Sequence, residues 1–327
     1  MKTVAENKVE GRSGHAVFCA DIGGSFIKFA VSPAPGVLMP LERVATPAMD
    51  WDAFAASIAD LLSRHERAAP LSAPLALSIA GLVDPQSGLA TSANIPCITG
   101  RRLAKELTSS LGRRVVAAND ADCLTLAEAN EGAGRGHPIV FCAVMGTGIG
   151  GGLAVDGRLL RGAGGVTGEW GHGPILNTTV EIEGKVLHIP RFSCGCGQAG
   201  CVDTVGGARG IERLHLFLHG QNDTSHQILE RWQAGDEEAR KTVSVYLELV
   251  GDPLAVAVNT TGASIVPVGG GLASSTLLIE ALDLAVRARI LNRFDRPLVV
   301  PAARQDDGGL VGAAVLGHQL VLSVKGE

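Results

Sequence analysis

The sequence predicts an α/β protein of two lobes around a cleft, and three observations carry the prediction. A strand, a glycine-rich turn and a second strand occur in succession twice, first near residue 20 and again near residue 146. Helical and strand patterns alternate after each of these units, as in layered α/β folds. The length, 327 residues, suits about two domains with sizeable cores.

The elements follow in order. Residues 1–16 are polar and are expected to be mobile. Val17–Asp21 reads as a strand, Gly23-Gly24-Ser25 as a turn and Phe26–Val31 as the hairpin partner. Trp51–Ala69 has apolar residues at helical spacing behind Asp50, a plausible N-cap. Leu75–Ile79 reads as a strand, Arg101–Leu111 as a helix and Arg114–Ala118 as a strand; Asn119-Asp120 then opens a helix to about Glu131. The second hairpin is Ile139–Met145, a turn over Gly146–Gly152, and Leu153–Asp156. Residues 157–205 look irregular and hold a cysteine cluster. Beyond Gly206 come helical segments, including Glu237–Asn259, then a strand Ile265–Val268 ending in Gly269-Gly270-Gly271. Leu277–Leu291 reads as a helix, Leu298–Val300 as a strand and Gly309–Leu322 as a closing helix, with no clear internal sequence repeat.

Composition excludes several classes. The 43 glycines have no period of three, and 46% hydrophobic against 19% charged residues argues against disorder. A net charge of −5, with no basic stripe interleaved with aromatics, makes nucleic acid a poor partner. The N-terminal MKTVAENKVEGRSGHA lacks the apolar run of a signal peptide. The longest charge-free apolar stretch, Ile139–Val155, is too rich in glycine for a membrane helix. A cytoplasmic protein is expected, and clustered thiols there read as metal ligands rather than disulfides.

Four constellations carry chemistry. Asp21, Gly23, Gly24, Ser25 and Lys28 form a turn whose bared N–H groups could hold phosphate oxygens, with Asp21 orienting hydrated Mg²⁺; an ordinary hairpin turn is the alternative. Gly146-Thr147-Gly148-Ile149-Gly150-Gly151-Gly152 could do the same, or be a bulged hairpin. It lacks the Gly-Lys-Ser/Thr of a Walker A loop, and a strand rather than a helix follows it. Asn119-Asp120 lies at a strand end, where α/β proteins place chemistry, although both residue types also cap helices. His172 with Cys194, Cys196 and Cys201 makes a Cys₃His set suited to a closed, structural zinc site. Cys19, Cys97, Cys123 and Cys142 read as packing residues.

These pieces in this order resemble the ROK family of bacterial sugar kinases over about residues 17–320. Asp21–Lys28 is similar to its first phosphate loop, Ala93-Asn94-Ile95-Pro96 to its sugar loop, and VVAANDADCLTLAE at 115–128 to its catalytic segment. Gly146–Gly152 is similar to its second phosphate loop, Gly168–His172 and Cys194–Asp203 to its zinc signature, and Val268–Ala273 to its nucleotide-side turn. The resemblance implies an actin-like ATPase fold of two ribonuclease-H-like lobes, with ATP and a hexose meeting in the cleft. It implies Asp120 as catalytic base; Asn94, Asn119, Glu169 and His172 as sugar contacts; and Gly269, Gly270 and Gly271 beside the nucleotide. His172 would ligate zinc with one ring nitrogen and face the sugar with the other. A homodimer is implied as well.

Three positions depart from the family pattern: Asp203, which the resemblance implies as a further sugar contact, stands for Glu and is one methylene shorter, Asp122 stands for Asn and Ser25 for Thr. The 21 residues between His172 and Cys194, and Asn-Asp-Ala-x-Cys at 119–123, look like the N-acetylglucosamine kinase branch. The expected reaction is 6-phosphorylation of N-acetyl-D-glucosamine; glucose, N-acetylmannosamine and fructose are the alternative substrates. A sugar-responsive repressor is the remote one, because 16 polar residues cannot hold a helix-turn-helix. The expected lobes are 1–118 with 305–327, and 119–304.

Overall fold

The computed structural model describes residues 16–323, so the expectation for residues 1–15 falls outside the described residues. The chain divides into two compact units, one of 16–123, 163–165 and 309–323, the other of 124–162 and 166–308. Asn119 and Asp120 thus group with the first unit, beyond the expected boundary at 118, because the strand that Asn119 ends is part of the first sheet.

The first unit opens on β1 (Val17–Ile22), β2 (Phe26–Ala34) and β3 (Val37–Ala45), followed by α1 (Trp51–Arg64) and β4 (Leu75–Ile79). A two-stranded ribbon, β5 (Leu82–Val83) with β6 (Ala90–Thr91), precedes α2 (Leu103–Leu111), β7 (Val115–Asn119) and the start of α3 (Asp120–Glu131). The sheet order is β3-β2-β1-β4-β7, antiparallel on the hairpin side and parallel from β1 to β7. One face buries Phe18, Phe29, Phe54, Ile58 and Leu61, with Phe18 and Phe29 stacked at 5.6 Å. The other takes the closing helix: Val17, Cys19, Ala30 and Ala76 meet Leu310, Ala313 and Ala314. Asp50 caps α1, accepting the Ala53 N–H at 3.0 Å, and the helix stops at Arg64, short of the expected Ala69.

The second unit continues with β8 (Ile139–Met145), β9 (Ile149–Val155), β10 (Arg158–Leu159), β11 (Thr179–Ile182) and β12 (Lys185–His188). Then come α4 (Asp203–Gly206), α5 (Ala208–His219), α6 (Ser225–Gln233), α7 (Glu237–Thr261), β13 (Val266–Gly269), α8 (Thr276–Arg287) and β14 (Val299–Pro301). The closing helix, α9, spans Gly308–Ser323. The second sheet is ordered β10-β9-β8-β13-β14, with β8–β9 and β9–β10 antiparallel and β13 parallel to both β8 and β14. That is the order and sense of the first sheet, strand for strand, so the architecture repeats although the sequence does not.

Two expectations need correction. Gly150, Gly151 and Gly152 are not turn residues: they pair with Val144, Ala143 and Cys142 inside β9, and the turn is confined to 146–148. The region 157–205 is not wholly irregular, because Thr179–Ile182 and Lys185–His188 form a hairpin that seats Val180 against the core. The first sheet also has a strand that no expectation covered, Val37–Ala45, an edge strand carrying Pro40, where a missing backbone donor is tolerated.

Candidate active site and metal centre

In each unit the candidate residues gather where the parallel strands end. Open α/β sheets place ligands at the carboxyl ends of strands, where backbone groups are no longer used by a neighbour. In the first sheet β1, β4 and β7 end at the Gly23–Ser25 turn, at Gly81 and at Asn119. In the second, β8 and β13 end at the Gly146–Gly148 turn and at Gly269–Gly271.

Asp21 pairs in register with Lys28 across the hairpin, with Lys28 Nζ 3.5 Å from Asp21 Oδ2, and Ser78 Oγ donates to Asp21 Oδ1 at 2.9 Å. The turn beyond is braced from β3: Thr46 Oγ1 donates to the Gly23 carbonyl at 2.7 Å and Thr46 N to the Ser25 carbonyl at 3.0 Å. Gly24 lies on the Asn94 backbone, where an added Cβ would stand 2.7 Å from the Asn94 oxygen. Asn94 is exposed, on a loop held by Ser92, whose Oγ donates to the Ala80 carbonyl and accepts the Ile95 N–H.

Asn119 is the helix cap of this region. Its Oδ1 accepts the Ala121 N–H at 2.8 Å and the Asp122 N–H at 3.4 Å, while Nδ2 donates to the Gly81 carbonyl at 3.1 Å. Capping by Asn119 holds the first turn of α3 and fixes Asp120 beside it. The Asp120 carboxyl reaches solvent and accepts the Ala121 N–H at 2.9 Å. Its pKa nonetheless lies above the ordinary carboxylate value, raised first by the water that surrounding protein removes and next by the Asp21 charge.

In the second unit the Gly146–Gly148 turn is closed by a Gly146 N–H bond to the Gly148 carbonyl at 3.0 Å, and Thr147 is exposed. Gly270, at φ +89°, lies so close to the turn that a Cβ would meet Gly146 N at 2.6 Å, which only glycine permits. Behind the turn, Asp203 Oδ1 accepts the Ile149 N–H at 2.7 Å.

Beta-strand β9 also carries the loop of Glu169 and His172. Trp170 Nε1 donates to the Gly150 carbonyl at 2.8 Å, and a Cβ on Gly151 would meet the Gly168 oxygen at 2.8 Å. The strand glycines therefore let this loop lie flat on the sheet. His172 turns Nδ1 toward Cys194 Sγ, at 3.7 Å, and Nε2 toward Glu169 Oε2, at 3.9 Å. The two ring nitrogens thus face different partners, as a residue serving both a metal and a ligand requires.

The donor atoms of His172, Cys194, Cys196 and Cys201 all lie within 4.8 Å of one another. Thiolates ~2.3 Å from a tetrahedral zinc stand roughly 3.8 Å apart. Cys196 and Cys201 are at 3.6 Å, so the set fits the ion in both chemistry and spacing. The thiols alone are in conflict. The Gln198 backbone N–H draws Cys196 down to about 7, while burial pushes Cys194 up to about 12. A divalent cation removes that conflict by binding all three as thiolates. Of the remaining cysteines, Cys19, Cys123 and Cys142 are buried and Cys97 is half-buried.

Four residues outside the expected motifs, Ser78, Ser92, Thr46 and Gly81, hold Asp21, the Asn94 loop, the first turn and Asn119. A signal existed for Ser78, a hydroxyl inside the otherwise apolar strand LALSI.

Comparison with known proteins finds relatives over most of the chain. The chain is 33% identical over 296 residues to an N-acetyl-D-glucosamine kinase of Pasteurella multocida, covering 90% of this chain and 97% of that one. It is 32% identical over 308 residues to an N-acetylgalactosamine kinase of Shewanella sp., covering 94% and 98%. Among solved structures, a ROK hexokinase from Thermus thermophilus matches with a TM-score of 0.81 and 30% identity, over 95% of this chain and all of that one. A ROK family glucokinase from Streptomyces griseus, solved with glucose and AMPPNP, matches at 0.69 and 26%, over 93% and 99%. The ROK family model matches residues 17–320, and the chain belongs to the ROK family, with its actin-like ATPase fold.

Proposed function

We propose that this protein transfers the γ-phosphoryl group of ATP to the 6-hydroxyl of an aminosugar, N-acetyl-D-glucosamine first among them. The observation that carries the reading is the Asp120 carboxyl, set at a strand end by its Asn119 cap and raised in pKa beside Asp21. Two relatives that act on N-acetylated hexosamines support the substrate class.

The hydroxyl oxygen attacks the γ-phosphorus, the bond to the β–γ bridging oxygen breaks, and the hydroxyl proton passes to Asp120. Phosphoryl transfer asks mainly for positioning and charge neutralisation, so a carboxylate that accepts a late-moving proton suffices. Raising its pKa makes Asp120 a better acceptor. Backbone N–H groups of Gly24, Ser25, Thr147 and Gly148, rather than those of Gly23 and Gly146 that close the turns, with Lys28 and the Thr147 hydroxyl, hold phosphate oxygens, and Gly269–Gly271 borders the nucleotide. Asp21 would orient a hydrated Mg²⁺, whose charge would offset that of the phosphates. Asn94, Asn119, Glu169 and His172 hold sugar hydroxyls. Cys194, Cys196 and Cys201 with His172 would hold a structural zinc, which fixes the His172 ring.

The test is a coupled kinase assay across N-acetyl-D-glucosamine, N-acetylgalactosamine, N-acetylmannosamine, glucose and fructose. Glucose giving the highest kcat/KM removes the aminosugar assignment. A cytoplasmic homodimer belongs to the same reading; light scattering of the eluted protein decides its oligomeric state. Among the described residues no helix is long and apolar enough to cross a membrane.

A further inference from the structure

Strand alternation places two polar side chains on a sheet face that is otherwise apolar. Val17, Cys19 and Asp21 share one side of β1, and Ala76 and Ser78 share one side of β4. Val17, Cys19 and Ala76 meet Leu310, Ala313 and Ala314 of α9, so Asp21 and Ser78 continue that face toward the start of the helix. The two are register partners in the parallel pair β1–β4. Ser78 is fully buried, and its Oγ donates to Asp21 Oδ1 at 2.9 Å. Leu75, Ala76, Leu77 and Ile79 make up the rest of β4, and a hydroxyl buried there without a partner would cost about 1–3 kcal/mol. The Asp21 carboxylate offsets that cost.

Two further contacts complete the setting of Asp21. Lys28 Nζ stands 3.5 Å from Oδ2, on a side chain that is 45% exposed. Gly309, in the first turn of α9, lies against the carboxyl so closely that a Cβ there would overlap Oδ1 and Cγ. With these three sides taken, the carboxyl keeps one orientation. Without the Ser78 bond it regains the staggered rotamers of an aspartate, with the Lys28 ammonium close by to draw it in. All of these groups belong to the first unit. A carboxylate oxygen suits Mg²⁺, which keeps several waters and takes one or two carboxylates beside substrate phosphates. We propose that Ser78 is a positioning residue: together with the bare Gly309 Cα it holds the Asp21 carboxyl in the orientation Mg²⁺ requires and keeps it from collapsing onto Lys28. This deepens the reading of Asp21 as the Mg²⁺-orienting residue and rests on it. A fully buried hydroxyl cannot touch the nucleotide, so Ser78 acts through Asp21 alone.

The experiment is calorimetric titration of the non-hydrolysable ATP analogue AMPPNP into the full-length protein, with saturating Mg²⁺ and in Mg²⁺-free buffer. The ratio of the two Kd values is the gain from Mg²⁺. Asp21→Asn, Ser78→Ala, Gly309→Ala and Cys123→Ala are compared with the parent. Cys123 is fully buried and is a hydrogen-bond neighbour of the Ser78 hydroxyl, so Cys123→Ala hollows the same spot and leaves the bond to Asp21 in place. Asp21→Asn should remove most of the gain. Ser78→Ala should cut it about three- to tenfold, ~threefold from the three rotamers and the rest from pairing with Lys28. Gly309→Ala should cut it by a similar factor, because the overlapped atoms end a side chain that can swing aside without disturbing the helix. Cys123→Ala should keep the parent's gain, and Mg²⁺-free affinity should be unchanged in all four. The parent's gain in Ser78→Ala overturns the proposal. An equal loss with and without Mg²⁺, or a gain cut as far in Cys123→Ala as in Ser78→Ala, overturns it too, since either marks a merely structural role. Should Ser78→Ala not fold, Gly309→Ala decides, and the parent's gain there overturns the proposal. The parent's gain in Asp21→Asn, or no gain in the parent itself, refutes the reading of Asp21 and the proposal with it.

Discussion

Gly24→Ala tests whether the first glycine turn is shaped by contact with the Asn94 loop. The added Cβ would stand 2.7 Å from the Asn94 carbonyl oxygen and 3.2 Å from Asn94 Cβ. An ordinary carbon–oxygen contact needs about 3.4 Å, so roughly 0.7 Å must be found by moving backbone, since the nearest atom is not a flexible chain end. Overpacking of this kind costs about 1–3 kcal/mol. A displacement approaching 1 Å at a substrate-positioning residue can cost up to ~100-fold in rate. Gly23→Ala is the internal control. Its Cβ meets only the Phe26 oxygen, at 3.9 Å, and neither glycine has positive φ. Thermal unfolding should therefore show Gly24→Ala melting several degrees lower, at about 2–4 °C per kcal/mol, with Gly23→Ala close to the parent. The KM for N-acetyl-D-glucosamine should rise in Gly24→Ala. Equal melting temperatures for the two variants would refute the argument that Asn94 backbone limits the space at residue 24.

Asp120→Asn should abolish turnover while leaving sugar binding by calorimetry intact; unchanged turnover removes Asp120 from the mechanism. The same substitution should raise the melting temperature at neutral pH. A carboxyl whose folded pKa is raised stabilises the fold only below that pKa, and this contribution is lost as pH rises through it, a cost Asn does not carry. For the parent enzyme, the acid limb of kcat/KM should lie above the ordinary aspartate range, and a limb at or below about 3.9 contradicts the raised pKa. Cys196→Ser should lose metal by elemental analysis and speed hydrogen exchange over 168–201; full metal retention counts against the assigned ligand set.

Local pattern made much of this protein readable. Val17–Ile22 and Ile139–Met145 are short apolar runs bounded by glycine, and both are strands that lead into hairpins. The Cys₃His set was legible because Cys-x-Cys-x₄-Cys brings three thiols together over a short loop, whatever the rest of the chain does. What escaped was decided by neighbours. Val37–Ala45 alternates weakly and carries Pro40, so its identity as a strand depends on β2 supplying the partner. Gly150-Gly151-Gly152 resembles a turn by composition, yet it is strand, because β8 pairs with it and the Gly168–His172 loop needs its bare surface.

The sequence by itself determined the glycine turns, the strand-end Asn-Asp pair and the Cys₃His set, since each rests on residue chemistry within a few positions. Only the tertiary structure decided that the two sheets share one strand order with no repeat in sequence, because topology depends on which buried faces meet and many residues satisfy them. It alone decided the partners of the functional side chains: Ser78 for Asp21, 57 positions away, and Ile149 for Asp203, 54 positions away. A hydrogen bond between residues so distant leaves no periodicity or spacing in the chain. Each exists because the fold sets two elements side by side: β1 along β4 for Asp21 and Ser78, and the start of α4 against the start of β9 for Asp203 and Ile149.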